Sequence, residues 1–495
     1  MFKNFPGYKL LEKIQKSNSH KRERKLPLNA IKLIFIVAIT SVIALLPTES
    51  FGIEGLTVVH QRIISLFVFA ALMWLTEAMP SWVTSMVVVT IMLLTVSTSA
   101  FNFLRPEDGA GLVPFKSIMA CFANPTIMLF IGGFVLAIGL TKVKLDVALA
   151  RVLLKPFGTR SEIVLLGFIL VTAIFSAFVS NTATAAMMLA FLTPVLKSLP
   201  ADGKGRVALA LAIPVGANLG GMITPIGTPP NMIALDYLSS QGMGISFVDW
   251  TIKMAPFVIL LLVLSWLLLR VLFPFKQKHI KIEIEGDIKW DRHTWSVVAA
   301  FAITIFMWMF GTDLWGVDTN VVAMIPIAIF CATGILTRRD LEEINWSVLW
   351  MVAGGFALGV ALNYGGDASL SSLIVKSVPF YEFSPIMVMI LAGVICFAFS
   401  NFISHSAATS LLVPVLGVVA GGLGSALDGV GGPQAMLVGI AIASSVSMIL
   451  PISTPPNAIA HSTGFIEQKD MMKVGIIVGL MGLVLGYAML IFIGF

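Results

Sequence analysis

Two short polar segments interrupt long apolar stretches of this 495-residue chain. The first tip, Ser180-Asn181-Thr182, lies near the middle of 162–196, and the second tip, Ser404-His405-Ser406, lies near the middle of 384–416. Each stretch is too long for one membrane crossing, whereas a limb such as 163–178 would rise only about 24 Å as a helix, short of the ~30 Å hydrocarbon core. We therefore predict two re-entrant hairpins, whose irregular tips must be buried in protein or line a wet cavity.

A second pair of segments predicts breaks in two further membrane helices, the fifth and the tenth. Thr228-Pro229-Pro230-Asn231 and Thr454-Pro455-Pro456-Asn457 each contain two prolines and end in an Asn able to hydrogen-bond. Proline has no N–H and disfavours a helical residue before it, so carbonyl groups near Gly227 and Ser453 should be bared. At such breaks, and at the hairpin tips, free N–H groups attract anions and free carbonyls attract cations.

Three matches in the same order indicate an internal duplication. Gly132-Gly133-Phe134 recurs as Gly354-Gly355-Phe356 at an offset of 222, the tips recur at 224, and the proline segments recur at 226. An odd number of spans separates corresponding points, so the two halves should be inverted relative to each other. Inverted repeats with helices broken at matching positions are typical of secondary transporters, whose site lies near the membrane midplane.

The composition requires a membrane protein. Apolar residues make up 57% of the chain, charged residues only 12%, and the mean hydropathy is +0.95. A soluble protein of this size could not bury so much apolar surface. The predicted fold is an all-α polytopic membrane protein with about eleven transmembrane helices plus two re-entrant hairpins. The predicted spans are 29–47, 59–77, 81–98, 124–141, 207–225, 250–272, 294–311, 319–336, 345–363, 434–451 and 474–494.

The positive charges predict the orientation. Residues 1–28 hold eight Lys/Arg and two Glu, which accounts for the net charge of +6. With the N-terminus inside, cytoplasmic segments hold 26 Lys/Arg and external segments five, a strong positive-inside signal. We expect a multi-pass protein of the plasma (inner) membrane with a cytoplasmic N-terminus and an external C-terminus. The basic tail is read as a flank attracted to anionic lipid rather than as a nucleic-acid arm, so no nucleic-acid partner is expected.

The domain organisation follows from these features. It comprises a basic cytoplasmic tail (1–28), the first span with an external loop (29–57), repeat 1 (58–274, with hairpin 162–196 and unwound segment 225–231), a cytoplasmic linker (275–293) and repeat 2 (294–495, with hairpin 384–416 and unwound segment 451–457).

The absence of Lys and Arg from the tips and the proline segments suggests how charge is balanced. A dianion bound there would meet no fixed side-chain cation, and each helix end offers only about half a charge. Cations that enter with the anion would solve this problem, which favours sodium-coupled anion uptake. An intramembrane enzyme is the remote alternative, since no HExxH motif is present and adjacent residues such as Ser404 and His405 diverge by about 100° on a helix.

Together with Trp74-Leu75-Thr76-Glu77-Ala78-Met79-Pro80, these motifs resemble the divalent anion/sodium symporter family (DASS, also solute carrier family 13) from about residue 60 onward. The resemblance implies an inverted-repeat homodimer in which a transport part moves against a scaffold part, an elevator-type mechanism. It implies dicarboxylate substrates such as succinate, malate or fumarate, sometimes citrate or sulfate. Sodium would be the coupling ion, with no other cofactor.

The resemblance also implies a role for each matched residue. Contacts to the substrate carboxylates are implied for Ser180, Asn181, Thr182, Thr228, Pro229, Ser404, His405, Ser406, Thr454, Pro455 and Asn457. One Na⁺ would be bound by Ser176, Ser180, Asn181 and Gly227, and a second by Ser400, Ile403, His405 and Ser453.

The second tip departs from the family pattern. His405 and Ser406 replace the usual Asn and Thr, and Asn401 stands where an acidic residue is expected. The change to His removes an amide oxygen that could bind Na⁺, while an imidazole could bond the substrate or supply positive charge. The sequence thus leaves open fewer coupled ions, a proton-linked or sodium-independent dicarboxylate exchanger, and a sulfate or citrate transporter.

Overall fold

The computed structural model describes residues 26–200, 203–280 and 290–495. Nearly all of the predicted tail (1–28) and the middle of the predicted linker (281–289 of 275–293) lie outside the described residues. The regular structure of the described residues is helical and contains no β-strand. The helices of eight residues or more are α1 (Leu26–Leu45), α2 (Val58–Thr76), α3 (Ser81–Thr95), α4 (Pro125–Lys142), α5 (Leu145–Leu154), α6 (Ser161–Phe178), α7 (Asn181–Ser198), α8 (Lys204–Gly220), α9 (Pro229–Ser240), α10 (Phe247–Leu272), α11 (Arg292–Trp315), α12 (Met324–Ala332), α13 (Trp346–Asn363), α14 (Leu370–Ser377), α15 (Pro385–Ser400), α16 (His405–Leu423), α17 (Gly432–Ser445), α18 (Pro455–Ser462) and α19 (Gln468–Phe492).

Eight helical segments within the described residues are long and apolar enough to cross a membrane. They are Val58–Thr76, Phe115–Lys142, Ser161–Phe178, Phe247–Leu272, Arg292–Trp315, Trp346–Asn363, His405–Val430 and Gln468–Phe492. Other predicted spans form shorter helices, and 319–336 is divided into Thr319–Val322 and Met324–Ala332. These helices make the chain an all-α, polytopic membrane protein, while the total of about eleven crossings stays a prediction.

The two halves contain the same series of elements. Helices α4–α10 and α13–α19 each consist of an 18-residue helix, a shorter helix, two hairpin limbs, a broken pair and a long final helix. The glycine pairs lie in α4 and α13, the tips lie between the hairpin limbs, and the prolines begin α9 and α18. This agreement supports the predicted duplication, and the inversion of the halves stays a prediction.

The two breaks begin earlier than expected. The prolines predict unwound segments at 225–231 and 451–457, whereas the non-helical residues are 221–228 (break 1) and 446–454 (break 2). The predicted bounds were wrong because proline also favours the first position of a helix, where its missing N–H is not needed and its φ is already helical. The two prolines of each segment therefore start α9 and α18, and each helix has an Asn in its first turn.

The helices form two packed groups. The hairpin group consists of α6–α10 and α15–α19, in which α8 packs on α6, α7 and α10, and α17 packs on α9, α16 and α19. The flanking group consists of α1–α4 and α11–α13, in which α3 packs on α13 and α4 packs on α12. Helix α13 also contacts α16 and α9, so it lies at the boundary between the groups.

The first glycine of each repeated pair allows close packing in the flanking group. A Cβ on Gly132 would lie 2.5 Å from the carbonyl oxygen of Ala323, and one on Gly354 would lie 2.4 Å from Cβ of Ser85. The second glycines differ between the repeats, since a Cβ on Gly133 would meet no atom within 4 Å, whereas one on Gly355 would lie 2.9 Å from Cβ of Ser410 in α16. Close packing at the first glycine is therefore shared by the two repeats, and an open second position is found only at Gly133 of these two glycines.

An ion pair closes one end of the flanking group. Lys142, the last residue of α4, donates to the carboxylate of Asp340, which also accepts from the backbone N–H of Thr337 at 2.6 Å. Burial raises the pKa of Asp340, but the hydrogen bonds from Lys142 and Thr337 outweigh it and leave the pKa below its ordinary value. The pair ties α4 to the segment before α13.

Candidate functional site

The first tip ends one helix and starts the next within two residues. Val179 is extended (φ −122°, ψ 155°), and Ser180 caps α7 by accepting a hydrogen bond from the N–H of Ala183 at 3.3 Å. Within the described residues, the N–H groups of Asn181 and Thr182 have no acceptor. The tip therefore presents two backbone donors and the positive end of an 18-residue helix.

The second tip repeats this arrangement with different residue types. Ser404 caps α16 by accepting from the N–H of Ala407 at 3.2 Å. In the described structure, the N–H groups of His405 and Ser406 have no acceptor either. Because each capping serine uses its oxygen as the acceptor, its hydroxyl hydrogen remains able to donate to a ligand.

Helices α9 and α18 begin at the proline segments. Thr228 (φ −146°, ψ 144°) and Thr454 (φ −137°, ψ 149°) are both extended, as expected for residues that precede proline. Thr454 also accepts a hydrogen bond from the N–H of Asn457 at 3.1 Å. Each break thus ends at a helix N-terminus, the same electrostatic feature as at the tips.

All four of these N-termini border one cavity of about 470 Å³, here called the central cavity. Its volume lies within the range of roughly 300–1,000 Å³ typical of small-molecule sites. The predicted site residues that line it are Ser180, Asn181, Thr182, Gly227, Thr228, Pro229, Ser404, His405, Ser406, Ser453, Thr454 and Pro455. No Lys or Arg is among its described lining residues. Four helix N-termini therefore direct partial positive charge toward this cavity, an arrangement that favours anions.

The flanking group forms the opposite wall. Glu77 and Trp82 come from the turn between α2 and α3, and Asn345 and Ser347 come from the start of α13. Gly133 in α4 also lines the cavity, where its missing side chain leaves room. The cavity therefore lies between the two groups of helices, beside the end of α2, the start of α13 and the middle of α4.

The residues predicted for the first sodium come together. Ser176 is fully buried, and its Oγ lies 2.6 Å from Oδ1 of Asn181 and 2.7 Å from the carbonyl oxygen of Ala217. A Cβ on Gly221 would lie 2.5 Å from Oδ1 of Asn181, so break 1 touches the first tip. A Cβ on Gly227 would lie 2.4 Å from the carbonyl oxygen of Gly221. Hydroxyl, amide and carbonyl oxygens at a broken helix are the donor set with which transporters bind Na⁺.

The residues predicted for the second sodium are less well assembled. Ser400 and Ile403 are buried and do not line the central cavity, and Oγ of Ser400 is 3.3 Å from Oγ of Ser444. His405 and Ser453 do line it, but Nε2 of His405 is 2.6 Å from the carbonyl oxygen of Ser447. The second set therefore contributes a ring nitrogen where the first set contributes an amide oxygen.

Asn457 lies behind the cavity wall rather than on it. Its Nδ2 donates to the carbonyl oxygens of Met448 at 2.8 Å and Leu450 at 3.1 Å, and its side chain is almost fully buried. The substrate contact predicted for Asn457 is not reproduced in this arrangement, because its amide is used to hold the carbonyl groups of break 2.

Asn218 is a cavity-lining residue that the sequence reasoning missed. Its Nδ2 lies 3.2 Å from Oγ1 of Thr454 and 3.1 Å from Oδ1 of Asn457, so it joins the last turns of α8 to the start of α18. The available signal was a single Asn in an otherwise apolar helix just before a predicted break. It links the two repeats directly at the site.

A larger cavity of about 1,150 Å³ lies elsewhere between the two groups and contains neither tip. Asp236 of α9 borders it and accepts a hydrogen bond from Oγ1 of Thr126 in α4 at 2.8 Å. Its described lining has two carboxylates, Asp236 and Asp318, and no hairpin tip, whereas the central cavity has one carboxylate, Glu77, together with both tips. The central cavity therefore remains the candidate site.

Comparison with known proteins decides the family. A family model described as "Citrate transporter" matches residues 71–431, most of the chain. The chain belongs to the citrate transporter family. An uncharacterized transporter of Haemophilus influenzae is 30% identical over 470 residues, covering 91% of this chain and 94% of the relative.

Other relatives of this citrate transporter family member refine the picture. A protein of Staphylococcus aureus named sodium-dependent dicarboxylate transporter SdcS is 28% identical over 516 residues, covering 96% of this chain and 94% of that protein. The expected membership of the divalent anion/sodium symporters is thereby confirmed. The YdaH transporter of Alcanivorax borkumensis has a similar fold, with a TM-score of 0.54, 13% identity and coverage of 83% of this chain and 96% of that one. The protein is thus a multi-pass membrane transporter.

Proposed function

We propose that this protein is a secondary active transporter that carries C4-dicarboxylates, such as succinate, malate or fumarate, together with Na⁺. The single observation that carries the proposal is the central cavity, where both tips and both breaks meet without a Lys or Arg among the described lining residues. The relatives named sodium-dependent dicarboxylate transporter support the same substrate and ion.

The two tips suit the two ends of a dicarboxylate. One carboxylate accepts hydrogen bonds from the free N–H groups and hydroxyls of the first tip. The other is bound by the second tip with Thr454 and Pro455, while Thr228 and Pro229 complete the wall. This placement uses donors that have no other acceptor within the described residues.

Sodium supplies full charge where helix ends supply only partial charge. The potential of a helix end falls off within one turn, so four N-termini offset only part of the cost of moving a dianion out of water. A Na⁺ held by Ser176, Ser180, Asn181 and Gly227 lies beside the first tip, and it raises anion affinity on the side where it binds. That mutual dependence is what couples the two fluxes.

Transport then requires the hairpin group to move against the flanking group, an elevator-type cycle. The positive-inside distribution puts the turn between α2 and α3 in the cytoplasm, so the structure corresponds to a cavity on the cytoplasmic side. We place the protein in the plasma membrane, with an internal N-terminus and an external C-terminus, as a homodimer of two inverted-repeat protomers.

Uptake of [¹⁴C]succinate into proteoliposomes tests the proposal, with external NaCl compared with choline chloride. We expect uptake in sodium only, competition by malate and fumarate, and loss of uptake in Thr182→Val but not in Thr182→Ser, which keeps the hydroxyl. If vesicles loaded with succinate take up [¹⁴C]succinate equally well in choline chloride and in NaCl, the protein is an exchanger and not a sodium symporter. Stronger competition by citrate or sulfate would change the substrate, and chemical conversion of succinate would indicate an enzyme.

A further inference from the structure

The carbonyl groups of the two breaks are satisfied by different donors. In break 1, Nδ2 of Asn231 donates to the carbonyl oxygens of Gly221 at 3.1 Å and Thr224 at 2.9 Å. The third carbonyl, of Met222, accepts from the indole Nε1 of Trp250 in α10 at 3.0 Å. The side-chain donors to these three carbonyls therefore come from α9 and α10 and not from the first tip.

Break 2 lacks the tryptophan. Its matching helix, α19, contains no Trp, and Asn457 already serves Met448 and Leu450. The carbonyl of Ser447 is met by His405 of the second tip, with Nε2 at 2.6 Å. Because a carbonyl oxygen only accepts hydrogen bonds, Nε2 must carry a hydrogen. It does so in the neutral tautomer that is protonated at Nε2 and in the imidazolium. The second tip is therefore committed to break 2 as a donor.

This difference changes what each tip offers to a cation. Oδ1 of Asn181 is an oxygen 2.6 Å from the hydroxyl of Ser176, at the edge of the central cavity. At the matching place in repeat 2, His405 presents an N–H bound to a carbonyl, and Ser400 is paired with Ser444 instead of with the tip. A cation near this carbonyl would have to displace a short hydrogen bond and would meet the hydrogen of Nε2.

We propose that the N–H of His405 takes the place of the second sodium, an inference that rests on the proposed function. One Na⁺, held in repeat 1, then accompanies each dicarboxylate. His405 is then the residue that sets the ion stoichiometry. The carbonyl end of the broken helix attracts a cation or an N–H donor in either repeat. Repeat 1 retains an oxygen site for a mobile cation, whereas repeat 2 has a fixed N–H donor on the side chain of His405.

The charge moved per cycle separates one sodium from two. One Na⁺ with succinate²⁻ moves a net charge of −1, whereas two Na⁺ with succinate²⁻ move none. Proteoliposomes with a K⁺ gradient and valinomycin set the potential. We expect inside-positive potential to accelerate uptake by the native protein and to have little effect on His405→Asn, which restores the amide oxygen. The ratio of ²²Na⁺ to [¹⁴C]succinate flux should rise from one to two in the same variant.

The mirror substitution provides the matched control. Asn181→His should remove the remaining sodium dependence, because it places a donor where repeat 1 has its oxygen. A flux ratio of two in the native protein, or an unchanged ratio in His405→Asn, would overturn the inference. If no dicarboxylate is transported, the proposed function fails, and the inference is then decided by thermal stability during NaCl titration against choline chloride. There, His405→Asn should show a steeper sodium dependence than the native protein, and identical curves would overturn the inference.

Discussion

Replacing Gly221 by Ala should weaken sodium binding while leaving the fold intact. Gly221 has an ordinary helical conformation (φ −59°, ψ −20°), so alanine fits its backbone without strain. Its Cβ would, however, lie 2.5 Å from Oδ1 and 3.0 Å from Nδ2 of Asn181. Ordinary van der Waals contact begins near 3.4 Å, so the amide must move by about 0.9 Å, whichever of its two atoms faces the glycine.

The displaced group is the end of a side chain, which can rotate away at little cost to the fold. A binding group must be held to within about 0.5 Å, so a shift of nearly 1 Å removes the amide oxygen as an effective ligand. We expect the sodium concentration for half-maximal uptake to rise at least about tenfold, which corresponds to ~1.4 kcal/mol. The unfolding temperature without sodium should change little.

The assay is the sodium dependence of [¹⁴C]succinate uptake in proteoliposomes, measured at saturating succinate. Gly359→Ala is the matched control, because a Cβ on Gly359 in α13 meets no atom within 4 Å. Native sodium dependence in Gly221→Ala, with unaltered thermal stability, would refute the assignment of Asn181 as a sodium ligand. A large loss of stability would instead refute the premise that the amide can rotate away.

Three further predictions concern stability and the link between the repeats. Asn218→Ala should reduce succinate uptake and lower stability by about 1–3 kcal/mol, because its two buried partners lose their donor; uptake and denaturation of the purified variant would measure both effects. Gly132→Ala should destabilise the protein by about 1–3 kcal/mol through its clash with a backbone carbonyl, whereas Gly133→Ala should not, as compared by thermal unfolding in detergent. Because the pKa of Asp340 is lowered in the folded protein, its ionised form with Lys142 contributes stability at neutral pH that is lost as the pH falls below about 4. Asp340→Asn should lack this acid-dependent loss of stability. A variant whose stability depends on pH as in the native protein would contradict the prediction.

The local breaks could be recognised in the sequence because their causes are local. Small polar residues inside apolar stretches predicted interruptions within 162–196 and 384–416, and helices Ser161–Phe178 and Asn181–Ser198, and Pro385–Ser400 and His405–Leu423, are separated at those residues. That each pair forms a re-entrant hairpin stays a prediction. The proline segments located both broken helices. Their boundaries were wrong by several residues, because proline starts a helix as readily as it ends one.

The partners of the site side chains could not be deduced in the same way. Asn218 and Thr454 are separated by 236 residues, and His405 and Ser447 by 42, yet each pair is in hydrogen-bonding contact. No local pattern encodes such distances, since they depend on how α8, α16, α17 and α18 pack together. The missed role of Asn218 and the diverted role of Asn457 have this common cause.

By itself, the sequence determined that the chain is a membrane protein with a duplicated pair of polar tips and a duplicated pair of broken helices. Hydropathy, proline geometry and repeat spacing act over short stretches of chain, so they can be read directly. Only the tertiary structure decided that four helix N-termini share one cavity, and that the imidazole of His405 points its N–H at break 2. The physical reason is that the direction of a hydrogen bond depends on which distant groups the packed helices bring within 3 Å of each other.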